Sequence, residues 1–198
     1  MGKIYCFMGK SSSGKDTVFQ LVTKQLPQIK PVVPYTTRPM RVGEKNGETY
    51  FFITPEQLKA YEDAGKVIEV RHYNTVQGIW SYATIDDGQI TLANNSYFII
   101  ATLEAYEKIV QYYGQEQVVP LYITVEDGVR LQRAIEREQR QAKPDYAELC
   151  RRFLADHADF SEEKLTAAGI TKRYENVNLD ACVAELIREI QTMEDGEQ

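Results

Sequence analysis

Cysteine is scarce in this chain of 198 residues: Cys6, Cys150 and Cys182 lie far apart, and no Cys-x-x-Cys occurs. An odd count without close spacing offers no disulfide framework and reads as reduced thiols in a cytoplasmic protein. Cys6 falls in an apolar run and Cys182 in an apolar helical pattern, so both are expected in the core. Histidine is scarcer still, His72 and His157 alone, and their isolation argues against a His-ligated metal site. No apolar run approaches the length needed to span a bilayer. The apolar start is cut short by Gly9 to Lys15, so no signal peptide is expected. Basic charge is lacking too: a net charge of −6 argues against a nucleic-acid partner, whose binder is normally basic. Any anion site must therefore come from local groups of Arg and Lys. Repeats and low-complexity linkers are absent, and only the acidic stretch after Met193 reads as disordered. What remains fits one substantial core over residues 1–198.

Against that background stands the segment Gly9-Lys10-Ser11-Ser12-Ser13-Gly14-Lys15-Asp16-Thr17, which follows the apolar run Ile4 to Met8. Gly-x-x-x-x-Gly-Lys after a strand and before a helix is the sequence form of a phosphate-binding loop. Its glycines let successive N–H groups turn inward on a polyphosphate, Lys15 adds charge at the β/γ-phosphates, and the following helix offers its positive end. That helix shows its apolar side in Val18, Leu21, Val22 and Leu26. The usual Ser/Thr after the lysine is replaced by Asp16, with Thr17 one place later.

Short, fully apolar runs recur at Ile4 to Met8, Tyr97 to Ala101 and Val118 to Val125, as strands buried on both faces of a parallel sheet require. Helical patterns alternate with them. Leu103 to Tyr113 ends at Gly114, which suits a left-handed cap, and Asp180 to Met193 carries Cys182, Leu186, Ile187 and Ile190 as its stripe. The alternation implies an α/β fold, a three-layer core with a mainly parallel sheet, built from about 1–33, 95–126 and 170–193. Two stretches differ. Residues 34–94 are rich in Tyr, Thr, Arg and Gly, alternate like strands at Thr49 to Ile53 and Val67 to Tyr73, and hold a strong helix start at Thr54-Pro55-Glu56-Gln57. Residues 127–169 are helical and highly charged. These read as two insertions, the first for an acceptor substrate and the second a lid.

Arg130, Arg133, Arg137 and Arg140 recur at helical spacing, followed by Arg151 and Arg152. Interleaved Glu136 and Glu138 suit a solvated face; the planar guanidinium fork equally suits a clamp on phosphate oxygens. Both readings stay open. Tyr35-Thr36-Thr37-Arg38-Pro39-Met40-Arg41 places two arginines in a rigid, hydroxyl-rich loop, a setting that favours anion binding.

At these residues the chain resembles the guanylate kinase family. Thr36-Thr37-Arg38-Pro39-Met40-Arg41-x-Gly43-Glu44-x-x-Gly47-x-x-Tyr50-x-Phe52 is similar to that family's TTRxxRxGExxGxxYxF loop. Gly9 to Lys15 resembles its GPSGxGK loop, with Lys10 and Ser12 departing. Val67-Ile68-Glu69 resembles the strand ending in a guanine-reading glutamate, Arg133, Arg137 and Arg152 match the lid arginines, and Asn176-x-x-Leu179-Asp180 resembles the turn near the adenine. The resemblance implies a P-loop core with an inserted nucleoside-monophosphate-binding region and a helical lid, transferring phosphate from ATP to GMP with Mg²⁺. Lys15, Arg38, Arg133, Arg137 and Arg152 would be catalytic. Gly9, Lys10, Ser11, Ser12, Ser13, Gly14, Lys15, Asp16, Thr17 and Asn176 would bind ATP. Arg38, Arg41, Tyr50 and Glu69 would bind GMP.

Three departures mark this chain. Phe98 to Leu103, which corresponds to a family strand with an Asp-x-Asp pair, has no carboxylate. The family's Asn-x-Tyr-Gly segment is replaced by the longer Asn74-Thr75-Val76-Gln77-Gly78-Ile79-Trp80-Ser81-Tyr82, in which Ser81 or Tyr82 could fill the vacated GMP contacts. Asp16, beside Thr17, becomes the candidate to approach the metal. The rival readings are the same fold with another acceptor, a different nucleotide or a ribose phosphate, and a non-catalytic module that binds a phosphorylated protein.

Overall fold

The computed structural model describes residues 1–75 and 78–196; Val76 and Gln77, within the lengthened segment, and residues 197 and 198 lie outside them. Five parallel strands form the central sheet. β1 (Ile4–Met8) is its middle strand, between β7 (Tyr97–Ile100) and β8 (Val118–Thr124), with β2 (Lys30–Pro31) outside β7 and β9 (Tyr174–Glu175) outside β8. The register sets Cys6 beside both Ile99 and Pro120. β9 pairs only with Ile123 and Thr124, so the Pro120 stretch of β8 is an edge, where a missing N–H is tolerated.

All of β1 is fully buried because its two faces meet two helical layers. Side chains alternate along a strand, so Tyr5 and Phe7 join one core with α1 (Lys15–Gln25) and α7 (Leu179–Asp195). Ile4, Cys6 and Met8 join the other with α3 (Leu103–Tyr113) and α6 (Glu162–Ala167). The expected runs and helices thus form, with small differences at their ends. α7 continues past Met193 to Asp195 because Glu194, in its last turn, accepts hydrogen bonds from Tyr5 (2.6 Å) and Ser96 (2.8 Å). Gly114 has φ 93° but ψ 149°, so it ends α3 by a sharp exit and not by a left-handed turn.

Residues 34–94 carry a second sheet, β4 (Phe51–Phe52), β3 (Tyr35–Thr36), β6 (Gly78–Ile85) and β5 (Val67–Thr75) in spatial order. α2 (Pro55–Asp63) begins on a full capping box, with Thr54 and Gln57 satisfying each other's backbone N–H. Tyr35, Leu58, Ala83 and Ile85 bury the face toward α2. The other face is left to the cleft. Residues 127–169 divide: α4 (Asp127–Gln139) and α5 (Tyr146–Asp159) flank the phosphate loop, whereas α6 buries Leu165 against the sheet and Phe160 stacks on Tyr122 at 5.5 Å.

Candidate active site

The loop between β1 and α1 has the backbone that its glycines promise. Gly14 lies at φ 86°, and Ser12 is the one non-glycine residue among those described with positive φ, 64°. A Cβ on Gly9 would lie 2.4 Å from the Ile123 carbonyl oxygen, and one on Gly14 2.3 Å from Asn176 Nδ2. Asn176 is why the loop fits so tightly. Its own N–H is bound to Thr124, and its amide donates to Ser13 O at 2.8 Å. Arg133 reaches the same place from α4, donating to Asn176 O at 3.1 Å and to Ser13 O at 3.5 Å. Asn176 is thereby buried beneath the loop, its amide engaged with loop backbone. The Ser12 and Ser13 hydroxyls are buried without a hydrogen-bond partner among the described residues.

Lys15 opens α1, its Nζ 3.2 Å from Asp16 Oδ2, with Asp16 and Thr17 exposed in the first turn. Lys10 turns toward Asp127, 3.7 Å away. The lid arginines part company. Arg137 and Arg152 line one recess with Ser11 and Ser12, Arg140 is exposed, and Arg130 is fully buried. Arg130 pairs with Asp127 (3.0 Å) and Asp156 (3.3 Å), donates to Ser11 O (3.1 Å), and lies 4.1 Å over the Phe153 ring. Asp156 in turn accepts the Ser11 N–H at 2.8 Å, so α5 is tied to the loop through one carboxylate. Of the stripe read as either clamp or solvated face, Arg130 is an internal strut and Arg140 is solvated, while Arg133 and Arg137 lie toward the loop side. α4 buries Arg130, Ala134 and Glu138, one residue every fourth, while Arg133 and Arg137 sit one step round the helix.

The loop between β3 and β4 is held by Glu44. Arg38, buried, forms a fork with it, Nη1 to Oε2 at 2.8 Å and Nη2 to Oε1 at 2.6 Å. The Arg41 N–H donates to the same carboxylate, while the Arg41 side chain is exposed. Arg38, first, and then the Arg41 N–H lower the Glu44 carboxyl to about 2. The Arg38 guanidinium also faces the rings of Tyr50 (5.0 Å) and Phe52 (5.2 Å), and Tyr50 meets Tyr82 edge to face at 5.6 Å. Burial, above all, raises the Tyr50 phenol, with Tyr82 and Asp16 adding and Arg38 and Arg71 opposing. Groups from the phosphate loop and from the second sheet thus share one electrostatic neighbourhood.

Sheet register decides which predicted acceptor residues face that cleft. Thr36 opposes both Phe52 and Tyr82, Tyr82 opposes Arg71, and Glu69 opposes Thr84. All therefore share one face. Ser81, the neighbour of Tyr82, points the other way and hydrogen-bonds His72 Nδ1 at 2.8 Å. Of the two candidates in that segment, the structure brings only Tyr82 to the cleft. Glu69 is buried and already bound: Arg71 Nε to Oε2 at 3.0 Å, Arg71 Nη2 to Oε1 at 3.4 Å, and Thr84 Oγ1 to Oε1 at 2.8 Å. Arg71 also reaches Thr102 at 3.4 Å. Sequence reasoning passed over Arg71, although residues two apart on a strand share a face. It also passed over Glu44 as a partner and Asp156 altogether, for which sequence carries no signal.

Comparison with known proteins bears on the family and the fold. The guanylate kinase family model matches residues 1–149. A guanylate kinase of Corynebacterium diphtheriae is 35% identical over 69 residues, 35% of this chain and 36% of that protein. One of Protochlamydia amoebophila is 33% identical over 78 residues, 39% of this chain and 40% of that protein. The chain thus aligns with well under half the length of these curated relatives. The crystal structure of a guanylate kinase from Anaplasma phagocytophilum superposes with a TM-score of 0.60 at 20% identity, covering 97% of this chain and 86% of that one, which shows a shared fold. With a family match across three quarters of its length, the chain belongs to the guanylate kinase family.

Proposed function

We propose that the chain transfers the terminal phosphoryl group of ATP to GMP, giving ADP and GDP. The observation that carries this reading is the nearness of two groups of residues: the loop at Gly9 to Thr17, whose Asp16 acts on Tyr50, and a sheet face with Arg38, Tyr50, Tyr82 and Glu69. The triphosphate would lie in the loop against its N–H groups and Lys15. Asn176 would act from beneath, fixing the Ser13 carbonyl and with it the backbone of the loop. On the acceptor side, Arg38, Arg41 and Tyr50 would hold the GMP phosphate, and the Glu44 fork fixes the Arg38 plane before it arrives.

The chemistry needs little beyond position. A nucleotide phosphate loses its second proton with a pKa of about 6, so the acceptor oxygen is already a nucleophile near neutral pH and no general base is required. That oxygen forms a bond to the γ-phosphorus as the bond to the β–γ bridging oxygen breaks, and the electron pair leaves with ADP. Lys15, Arg133, Arg137 and Arg152 would neutralise charge spread over the moving group. α4 and α5 would keep water from competing for it. Mg²⁺ fits the donors here, since it binds through one or two carboxylates, substrate phosphates and water; Asp16 and Thr17 would supply the protein oxygens. When bound, it neutralises phosphate charge. Free cysteines at 6, 150 and 182 support a reducing, cytoplasmic setting, and among the described residues no helix is long and apolar enough to cross a membrane.

The test is ADP formation from ATP and Mg²⁺ with GMP, dGMP, AMP, UMP and ribose phosphates, beside Lys15→Ala. Turnover with GMP that disappears in the variant is expected. GMP binding without turnover of any acceptor would overturn the reading in favour of a binding module.

A further inference from the structure

Resting on the reading above, we infer that the acceptor base is read by Arg71 and Glu69 together, through the O6 and N1–H edge shared by guanine and hypoxanthine, so that IMP is a substrate alongside GMP. The argument is a count of hydrogen-bonding positions. An ionised carboxylate offers about four acceptor positions, two on each oxygen. On Glu69, Thr84 takes one on Oε1 at 2.8 Å, Arg71 Nε takes one on Oε2 at 3.0 Å, and Arg71 Nη2 leans on Oε1 at 3.4 Å. One unencumbered position remains, on Oε2. Guanine would need one on each oxygen to be read through both N1–H and N2–H. The carboxylate as held here can take N1–H alone.

Arg71 supplies the other half. Its five N–H groups meet Glu69 twice and Thr102 once, leaving one free on each terminal nitrogen. Arg71 thus keeps donors and Glu69 keeps one acceptor, the two kinds of group that a base edge with C=O next to N–H requires. Adenine places NH₂ next to a bare ring nitrogen, the reverse order, so in the same seat both contacts would oppose like groups. A cavity of about 340 Å³ lies along this pair between β5 and α3, lined also by Glu104, Lys108 and Gln111, within the usual size of small-molecule sites. Among the described residues, no buried side chain lining it other than Glu69 is left to accept from the 2-amino group. Phe98 to Leu103 carries no carboxylate, and Thr102 Oγ1 already accepts from Ala105 N–H and Arg71. Glu104 is exposed, where a polar contact adds little.

The experiment is steady-state kinetics of the whole chain with ATP and Mg²⁺ on GMP, IMP, AMP and the 2-aminopurine ribonucleoside monophosphate, which keeps the 2-amino group but lacks O6 and the N1 proton. For the unaltered chain we expect kcat/KM for IMP within about fivefold of GMP, with AMP and the 2-aminopurine nucleotide at least about a hundredfold lower. Arg71→Met should lower GMP and IMP alike by about ten- to a hundredfold, a hydrogen bond between a charged donor and the base being lost, with the loss falling on KM. The comparison among bases in the unaltered chain stands even if that variant folds poorly. IMP more than about thirtyfold below GMP, or undiminished GMP kinetics in a folded Arg71→Met, overturns the inference and leaves the GMP kinase reading intact. No turnover of any purine nucleotide overturns both.

Discussion

Arg130 is the residue whose loss has the most calculable consequence. It is fully buried between Asp127 and Asp156, bound to the Ser11 carbonyl and stacked over Phe153. Removing one partner of a buried ion pair typically costs 3–5 kcal/mol, because the remaining charge is left uncompensated. That range needs discounting here: Asp127 is 41% exposed and Asp156 18%, so water recovers part of the loss. The contact with Phe153 adds about 1 kcal/mol. For Arg130→Met, which keeps apolar bulk over the ring, a net cost of about 3 kcal/mol follows, or a fall in Tm of roughly 6–12 °C in a chain of this size. Most of this is stranded charge, so Asp156→Asn, whose amide oxygen still accepts the Ser11 N–H, should relieve it. The double variant should be no less stable than Arg130→Met, giving a coupling of about 1–3 kcal/mol. Chemical denaturation of the four proteins measures it. A loss below about 1 kcal/mol, or strictly additive effects, would refute the assignment of Arg130 as an internal strut.

Three further outcomes follow from other contacts. Gly14→Ala forces a Cβ into left-handed backbone and against the Asn176 amide, so the variant should lose about 2–3 kcal/mol of stability and weaken ATP binding; a calorimetric titration matching the parent would contradict this. Glu44 has its folded carboxyl lowered to about 2 from 4.5, so the Arg38 fork stands fully above pH 4.5 and is lost as pH falls toward 2. Hydrogen exchange at the Arg41 amide should keep constant protection from pH 8 to 5, and Glu44→Gln should raise the acceptor KM about tenfold; acceptor kinetics indifferent to that change would remove Glu44 from its role. Thr54→Ala, which breaks the capping box of α2, should cost about 1 kcal/mol in a melt, and an unchanged midpoint would mean that α2 is held by packing alone.

Legibility in sequence followed the range of the interactions. The run Ile4 to Met8, the glycine loop and the capping box are local signals, and α3 appears with the bounds its apolar pattern implies. β2, β3 and β9 are two-residue strands that exist because a partner strand is there, and nothing local announces them, whereas β4 is the short strand within the alternation at Thr49 to Ile53. Ser81 and Tyr82 could not be told apart until the pairing of β5 with β6 set their faces. Similar logic splits the lid arginines: spacing put Arg130 and Arg133 on one helix, but only the positions of Asp156 and Asn176, far along the chain, give them different partners.

Lys10, Lys15, Arg38 and Arg71 each stand beside a carboxylate of the chain itself, at 2.6–3.7 Å. Seen from a distance these are dipoles, not a positive well, and the chain as a whole carries −6. At these four positions anionic nucleotides therefore meet little attraction from beyond about a Debye length. Capture should be governed by docking, with kcat/KM almost flat between low and physiological salt, unlike an enzyme that draws its substrate in by charge. The same pairing lets the cleft hold its cations close together without driving itself apart.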